Sequence, residues 1–361
     1  MSIPHCAAHS TSEQANPNPE FEEDVCLLDR NECFESPDAD LLAVLSRELA
    51  NVHRYPDPQC RELRARIARH HGVTPEQVVA GNGVDELLVL IALGLLGPGR
   101  TAVMTERTFT GHRTSCTVAG VNVRTVPLDG YHVDAVAVAA AVADGADVAI
   151  VCNPHNPTGT ALHRSELERL IERCERAGCT LIVDEAYTEF EDSRLASVAD
   201  LVPGAERLVV LRTFSKMMGL AGLRVGYAIG PAALIACLLQ ARTALPFSVN
   251  RLAQIAAMAV LDDDGVVQRR RVQVRDARAA VGRLLDSYGI DHVPSATNFI
   301  LVRLPAFVDG AEIVERLRRD CAVLVRDTTP FGFPGHIRVT IGTQPQMERF
   351  AHGLATLLSR R

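Results

Sequence analysis

The chain has 361 residues, of which 47% are hydrophobic and 22% charged, and its formal net charge is −7. This length allows one large or two ordinary domains with a substantial core, and the composition is typical of globular rather than disordered or fibrous proteins. The negative charge argues against a nucleic-acid-binding protein, which needs a basic face, and the cluster Arg269-Arg270-Arg271 is expected on a solvated helix face. The longest apolar stretch, 87–96, is too short for a membrane span of ~20 residues.

Residues 1–20 are polar, contain proline and are predicted to form a flexible N-terminal arm rather than a secretory signal. Residues 21–56 form a further segment, predicted to join the smaller of two domains. The ten cysteines are scattered and form no CxxC pair, which predicts free thiols in a reducing cytoplasm. No HExxH motif occurs, so no metal site is predicted.

Residues 57–245 alternate short β-branched runs with longer helical patterns, the signature of βαβ units around a mostly parallel sheet. The patterns predict helices at 85–96 and 163–177, the second capped by Thr160 or Ser165. The predicted strands are 78–80, 101–105, 121–126, 147–152, 180–184, 207–211 and 224–229. This large domain is therefore expected to be an α/β/α sandwich around a seven-stranded sheet.

From residue 246 the pattern changes, and 246–361 is predicted to form a smaller α+β domain. A long helical stretch is expected at 250–288 and a last helix at 344–359. Between them, strands are predicted at 298–304, 323–326 and 336–341.

Lys216 is the only lysine in the chain, beside 36 arginines. Arginine replaces lysine in most ion pairs, but it cannot form a stable Schiff base with an aldehyde. Lys216 follows the apolar run 208–211 at a predicted strand end, in the sequence Thr-Phe-Ser-Lys-Met-Met-Gly. An ordinary surface lysine is the alternative interpretation.

Two other predicted strands of the large domain also end in polar residues. Asn156 lies in Asn-Pro-His-Asn-Pro-Thr-Gly, and Asp184 begins Asp-Glu-Ala-Tyr. Open α/β sheets bind ligands at this carboxyl edge. Each stretch alone is a plausible turn. The three together are a highly specific pattern, with 28 residues from Asn156 to Asp184 and 32 from Asp184 to Lys216.

These strand ends are accompanied by Tyr55-Pro56-Asp57, the glycine turn with acidic helix start at 81–86, Asn298-Phe299 and the stretch 337–343. Together they resemble the pyridoxal-phosphate-dependent aminotransferases of fold type I, and within them the histidinol-phosphate aminotransferase branch of the class II family. The resemblance covers almost everything from about residue 27 onward.

The resemblance implies catalytic roles for Lys216, Asp184 and Tyr187 and a cofactor-binding role for Asn156. Lys216 would hold pyridoxal 5′-phosphate through a Schiff base and later move a proton from the substrate Cα. Asp184 would keep the pyridine nitrogen protonated, and Tyr187 with Asn156 would bind the phenolic oxygen. Without the resemblance, Asp184 reads as a helix cap or ion-pair partner, Tyr187 as a core tyrosine, and the adjacent Glu185 as structural.

Other cofactor contacts follow from the same resemblance. A helix start would bind the phosphate, an aromatic ring would cover the pyridine, and a tyrosine would reach the site of a neighbouring subunit, which implies a homodimer with shared active sites. These further cofactor-binding residues are Gly83, Val84, Asp85, Phe109, Thr213, Ser215, Arg224 and Tyr55.

Arg338 and Arg326 match residues that bind the anionic tail of the substrate, with Asn156 beside them. A phosphate tail indicates histidinol phosphate as amino donor with 2-oxoglutarate as acceptor, whereas a carboxylate tail indicates an aromatic or other amino acid. The segment Asn31-Glu32-Cys33-Phe34 departs from the usual Asn-Glu-Asn-Pro of the family.

Two other functions remain open. A threonine-phosphate decarboxylase shares the fold and a region similar to Pro-Phe-Ser-Val-Asn at 246–250. A non-catalytic ligand-binding module of this fold is the alternative from a different class, although the chain has no DNA-binding extension to accompany it.

Overall fold

The computed structural model describes residues 25–190, 197–261, 263–306 and 308–359. The predicted arm at 1–20 lies outside these residues. In chain order the strands are β1 Cys26–Leu27, β2 Val78–Gly81, β3 Thr101–Thr105, β4 Asn122–Val126, β5 Leu128–Asp129, β6 His132–Val133, β7 Val148–Cys152, β8 Thr180–Asp184, β9 Leu208–Thr213, β10 Gly226–Ile229, β11 His292–Val293, β12 Phe299–Arg303, β13 Val323–Leu324, β14 Arg326–Asp327 and β15 His336–Thr340. The helices are α1 Ala39–Glu48, α2 Arg61–His71, α3 Gly83–Ile91, α4 Thr110–Val118, α5 Ala135–Ala143, α6 Arg164–Ala177, α7 Ala232–Arg242, α8 Arg251–Leu261, α9 Asp264–Ser287, α10 Gly310–Cys321 and α11 Gln344–Ser359.

The large sheet has seven strands in the order β2-β10-β9-β8-β7-β3-β4. β10 runs antiparallel to both of its neighbours, and the other four pairings are parallel. The central strands β7, β8 and β9 are buried along their whole length, which explains why they read as unbroken apolar runs. The predicted seven-stranded, mostly parallel sheet is confirmed.

Helices cover both faces of this sheet. Alternate strand residues point to opposite sides, so Val103 belongs to the core shared with α2, α5, α6 and α8, whereas Met104 belongs to the core shared with α3, α4 and α7. The large domain is thus the predicted α/β/α sandwich.

The second, smaller sheet has the order β11-β12-β15-β14, and neighbouring strands in it run antiparallel. Its core is shared with α9, α10 and α11. β1 pairs in parallel with β13, which places Cys26 and Leu28 of the N-terminal segment in the same core.

The helical stretch predicted at 250–288 consists of two helices rather than one. Helix α8 packs Ala253 and Ala257 into the core of the large sheet, whereas α9 packs Val281 and Leu285 into the small-domain core. Asp263 accepts a hydrogen bond from the Val266 amide and caps the start of α9. Sequence periodicity cannot separate two helices that are both amphipathic but pack on different cores.

Four local predictions were wrong. The predicted strand 323–326 is two strands in different sheets, since β13 pairs with β1 and β14 with β15. Helix α6 begins after His163, whose amide donates to the Glu166 carboxylate (2.8 Å), and not after Thr160 or Ser165. The predicted helix 85–96 begins at Gly83, and its α-helical part ends at Ile91, where a π-helical turn over Ala92–Leu96 continues it. Arg270 is buried instead of solvated and donates to Glu35 (3.0 Å) and to the Met217 carbonyl (2.9 Å).

Within the described part of the chain, no helix combines the length and the apolar character that crossing a membrane requires.

Candidate active site

A cavity of about 340 Å³ lies at the carboxyl ends of β7, β8 and β9. It contains every sequence-predicted site residue except Gly83 and Tyr55. The large domain contributes Lys216, Asp184, Asn156 and their neighbours, and the small domain contributes Arg326 and Arg338 from its sheet. The volume is in the range of a small-molecule site.

Lys216 lies three residues beyond the end of β9, in a loop that the Phe214 amide ties to the Val225 carbonyl (3.1 Å). Its Nζ donates to the Arg30 carbonyl (2.9 Å) and lies 5.8 Å from the centre of the Tyr187 ring. Burial, helped by the positive charge of Arg338, lowers the pKa of Lys216 to about 8. A substantial share of this amine is therefore neutral, and so nucleophilic, slightly above neutral pH.

Asp184 is the last residue of β8, and its side chain is buried. His112, fully buried in α4, donates from Nε2 to Asp184 Oδ2 (2.9 Å), and Asp184 Oδ1 accepts from the Ala186 amide (3.1 Å). The His112 ring also packs edge-on against Phe109 (5.5 Å). The sequence analysis did not identify His112. A single histidine in a polar helix shows no local pattern that relates it to Asp184, which lies 72 residues further along the chain.

Tyr187 lies beside Asp184 and is buried. Its hydroxyl accepts from Asn31 Nδ2 (3.0 Å), which brings the N-terminal segment into the site. Burial raises the pKa of Tyr187 to about 12, so the hydroxyl keeps its proton. Asn156 Oδ1 accepts a hydrogen bond from Arg338 Nη1 (2.6 Å). This bond links the predicted cofactor contacts to the predicted substrate-binding arginines.

The other end of the cavity has the features of an anion site. Helix α3 begins at Gly83, whose φ is +75° and whose missing Cβ would lie 2.6 Å from Arg224 Nη2. The amides of the first helical turn face no intrahelical partner and favour an anion. Arg224 pairs with Asp85 (2.8 Å), and its Nη1 lies 3.4 Å from Ser215 Oγ.

Arg326 and Arg338 lie directly opposite each other on β14 and β15. Arg338 is buried, and its Nη2 donates to the Asp29 carbonyl (2.9 Å). Burial lowers the pKa of Arg338 to about 10 and raises the pKa of the nearby Asp29 carboxyl. Sequence reasoning missed Asp29 and Phe331, which also line this end of the cavity.

Glu185 is fully buried on the far side of β8 from Asp184. Its carboxylate accepts from Arg212 Nε (2.9 Å), Ser197 Oγ (2.9 Å) and the Val198 amide (2.7 Å). These contacts agree with the structural role predicted for Glu185.

Tyr55 lies away from the cavity. Its side chain is 79% exposed and stacks on Phe247, with the ring centres 4.5 Å apart.

Comparison with known proteins places the chain in a family. The family model described as aminotransferase class I and II matches residues 23–354. The histidinol-phosphate aminotransferase of Symbiobacterium thermophilum is 38% identical over 335 residues, which cover 93% of this chain and 91% of that protein.

Solved structures agree with this relationship. The histidinol-phosphate aminotransferase from Sinorhizobium meliloti in complex with pyridoxal-5′-phosphate aligns with a TM-score of 0.82 at 26% identity, covering 93% of this chain and 91% of that one. The L-threonine-O-3-phosphate decarboxylase from Porphyromonas gingivalis aligns with a TM-score of 0.78 at 25% identity, covering 93% and 100%. The chain belongs to the class I and II aminotransferase family.

Proposed function

We propose that the protein is a pyridoxal-phosphate-dependent aminotransferase that takes the amino group of histidinol phosphate and passes it to 2-oxoglutarate. The observation that carries the proposal is the cavity itself, which combines the only lysine of the chain, the buried carboxylate of Asp184 and the arginine pair Arg326 and Arg338. The relatives named histidinol-phosphate aminotransferase support the choice of donor.

The cavity residues fit the cofactor. Lys216 would hold its aldehyde carbon, Asp184 its ring nitrogen, Asn156 and Tyr187 its phenolic oxygen, and Phe109 one face of its ring. Its phosphate would take the helix start at 83–85 with Thr213, Ser215 and Arg224, and the missing Cβ of Gly83 lets the Arg224 guanidinium lie against this helix start. When bound, pyridoxal phosphate supplies an electron sink that stabilises negative charge on the substrate Cα.

The remaining chemistry is proton transfer by this chain's own residues. The Lys216 Nζ, with its pKa of about 8, is suited to take and return a proton near neutral pH. His112 holds the Asp184 carboxylate in place at 2.9 Å, and the protonated Tyr187 hydroxyl can donate a hydrogen bond into the cavity.

Single-turnover spectroscopy tests the donor. The cofactor-loaded protein is mixed with histidinol phosphate, phenylalanine or other amino acids without an acceptor, and the decay of the cofactor band is followed. Histidinol phosphate should react fastest. Much faster reaction with an aromatic amino acid would contradict the proposed donor.

A decarboxylase of threonine phosphate is the second candidate. It is favoured by the structural likeness to such an enzyme and by the arginine pair, which suits any phosphate tail. Release of CO₂ from threonine phosphate without a 2-oxo acid would replace the transaminase proposal. Protein that shows no cofactor absorbance even after addition of pyridoxal phosphate would instead indicate a non-catalytic module.

We also propose that the protein works as a cytoplasmic homodimer in which Tyr55 contacts the cofactor phosphate of the neighbouring subunit. Tyr55 and Phe247 form an exposed aromatic pair beside Val52, which is 62% exposed. Exposed apolar side chains of this kind favour a protein partner. The nine cysteines that the structure describes carry free thiols, as expected in a reducing compartment.

A further inference from the structure

We propose that Asn31 is a positioning residue that fixes the direction in which the Tyr187 hydroxyl donates its proton. The Asn31 side chain keeps the O–H bond of Tyr187 aimed into the cavity, at the phenolic oxygen of the bound cofactor. The inference rests on the proposed function, since it takes Tyr187 as a ligand of that oxygen. It adds a residue that acts on the cofactor through Tyr187.

The backbone of Asn31 adopts a conformation that few residues tolerate. Its φ is +56°, in the left-handed region, where asparagine is enriched over most other residues with a side chain. The Asn31 backbone N–H donates to Thr340 Oγ1 (2.9 Å), and its carbonyl accepts from Asn298 Nδ2 (3.0 Å). Thr340 ends β15 and Asn298 directly precedes β12, so the small sheet fixes the position of Asn31.

The neighbours of the Asn31 side chain also fix the orientation of its amide group. Because Thr340 Oγ1 accepts the Asn31 backbone N–H, its own proton is available to donate, and Asn31 Oδ1 lies 3.4 Å from it. With the amide oxygen on this side, Nδ2 faces Tyr187 and donates to its hydroxyl (3.0 Å). Toward Tyr187 the amide is therefore a donor and cannot accept the tyrosine proton.

The Tyr187 hydroxyl is left with its own proton to donate. Burial raises the pKa of Tyr187 to about 12, so the oxygen is protonated at neutral pH. Among the described residues this hydroxyl meets no acceptor for its proton, and Tyr187 lines the cavity. A hydroxyl that accepts a hydrogen bond on one side directs its own O–H elsewhere, which here means into the cavity.

Burial and packing hold this arrangement in place. Asn31, Thr340 and Tyr187 are 1%, 3% and 4% exposed, so bulk water has little access to their polar groups. The Tyr187 ring packs edge-on against Phe299 (5.1 Å), and Phe299 is the strand partner of Thr340. The same pair of strands therefore supports both the tyrosine ring and the amide that contacts its hydroxyl.

The direction of the hydroxyl proton affects the Schiff base between Lys216 and the cofactor. A hydrogen bond donated to the phenolic oxygen draws negative charge from it and so weakens its attraction for a proton on the neighbouring Schiff-base nitrogen. Tyr187 should therefore lower the pKa of that nitrogen. Turning the O–H bond away from the cavity should raise the same pKa.

Asn31→Asp tests the direction of the hydrogen bond, because it keeps the shape of the side chain and its tolerance of a left-handed backbone. A carboxylate oxygen then replaces Nδ2 and accepts the Tyr187 proton, which turns the O–H bond away from the cavity. Titrating the visible absorbance of the cofactor-loaded protein with pH measures the pKa of the Schiff-base nitrogen. It is measured in the wild type, Asn31→Asp, Tyr187→Phe and the double variant.

The rise in this pKa caused by Asn31→Asp should be about one pH unit larger with the Tyr187 hydroxyl present than in Tyr187→Phe, from the strength of a hydrogen bond to a charged group. The direct effect of the new carboxylate acts in both backgrounds and cancels from the difference. Asn122→Asp, the same change at an exposed residue, should leave the pKa unchanged.

Asn31→Gly decides the matter if the Asp variant does not fold, because glycine keeps the left-handed backbone and removes the amide. Its rise in pKa should also be larger with the Tyr187 hydroxyl than without it. Equal rises in the two backgrounds would show a merely structural role for Asn31 and overturn the inference.

The titration needs the cofactor but no amino donor. Failure of the wild type to convert histidinol phosphate would remove the proposed donor, while the titration would still decide the role of Asn31. A wild-type protein without a cofactor band would remove the proposed function and the inference together.

Discussion

The surroundings of Lys216 lower the pKa of its amine and so increase its nucleophilicity near neutral pH. Lys216 is partly buried close to the positive charges of Arg338 and Arg224, and both conditions disfavour its protonated form. Glu32 and Asp85 oppose this effect without cancelling it. Its pKa of about 8 lies close to the pH at which a general base works best.

Lys216→Arg should keep the charge and the fold but abolish covalent capture of pyridoxal phosphate and all turnover, because a guanidinium does not condense stably with an aldehyde. Absorbance after gel filtration with the cofactor measures capture, and circular dichroism checks the fold. Turnover by the purified variant would contradict the role assigned to Lys216.

The pH dependence of cofactor capture should reflect the pKa of the Lys216 amine. Only the neutral form reacts, so the capture rate of the cofactor-free protein should rise with pH and reach half of its maximum near pH 8, not near 10.5 as for an unperturbed lysine. Stopped-flow absorbance between pH 6 and 10 measures the rate. A midpoint above about 9.5 would show that the site does not lower the pKa of Lys216.

At the scale of elements, the ends of β8 and β9 carry the proposed catalytic residues Asp184 and Lys216 on one side and a buried charge network on the other. Glu185 follows Asp184 directly, and Arg212 lies four residues before Lys216. Arg212 pairs with Glu185 (2.9 Å) and with Glu189 (2.8 Å), so it joins the ends of both strands. This network holds the two strand ends at a constant separation.

Arg212→Met should lower the free energy of unfolding by about 3 kcal/mol or more, because it leaves two carboxylates without their cation in a buried site. Urea denaturation measures the change. Arg176→Met, which breaks the exposed pair with Glu172 (3.1 Å), is the control and should cost less than about 1 kcal/mol. Equal losses in the two variants would mean that the network adds no stability.

At the scale of the whole molecule, the site depends on three parts of the chain that lie far apart in sequence. The N-terminal segment enters between the sheets, where the Arg30 carbonyl accepts from Lys216, the Asp29 carbonyl accepts from Arg338, and Asn31 donates to Tyr187. Large domain, small domain and N-terminal segment therefore have to assemble before the cavity exists.

The exposed aromatic pair leads to a prediction about the oligomeric state. If the proposed dimer forms through this surface, Phe247→Asp should shift the protein from dimer to monomer in analytical ultracentrifugation, since it places a charge in the apolar surface beside Tyr55, and activity should fall with the dimer fraction. Val136→Asp, on an 80% exposed helix residue, should sediment like the wild type. A Phe247→Asp protein that stays dimeric would place the interface elsewhere.

Much of the protein could be predicted from its sequence. The family, the fold class and the cofactor are confirmed. Long apolar runs identify the buried strands, and parallel strands bring their carboxyl ends to one edge, so Asn156, Asp184 and Lys216 could be placed together from their order alone. Strand propensity and strand order are local properties that the sequence displays directly.

Only the tertiary structure decided the contacts between distant segments. His112 reaches Asp184 from helix α4, Asn31 reaches Tyr187 across 156 residues, and the Phe331 ring lies near both Arg326 and Arg338 of the small sheet. The break between α8 and α9 also depends on tertiary packing, since each helix packs against a different core. Such contacts depend on how helices and sheets pack together, and no periodicity or motif within one segment records that packing.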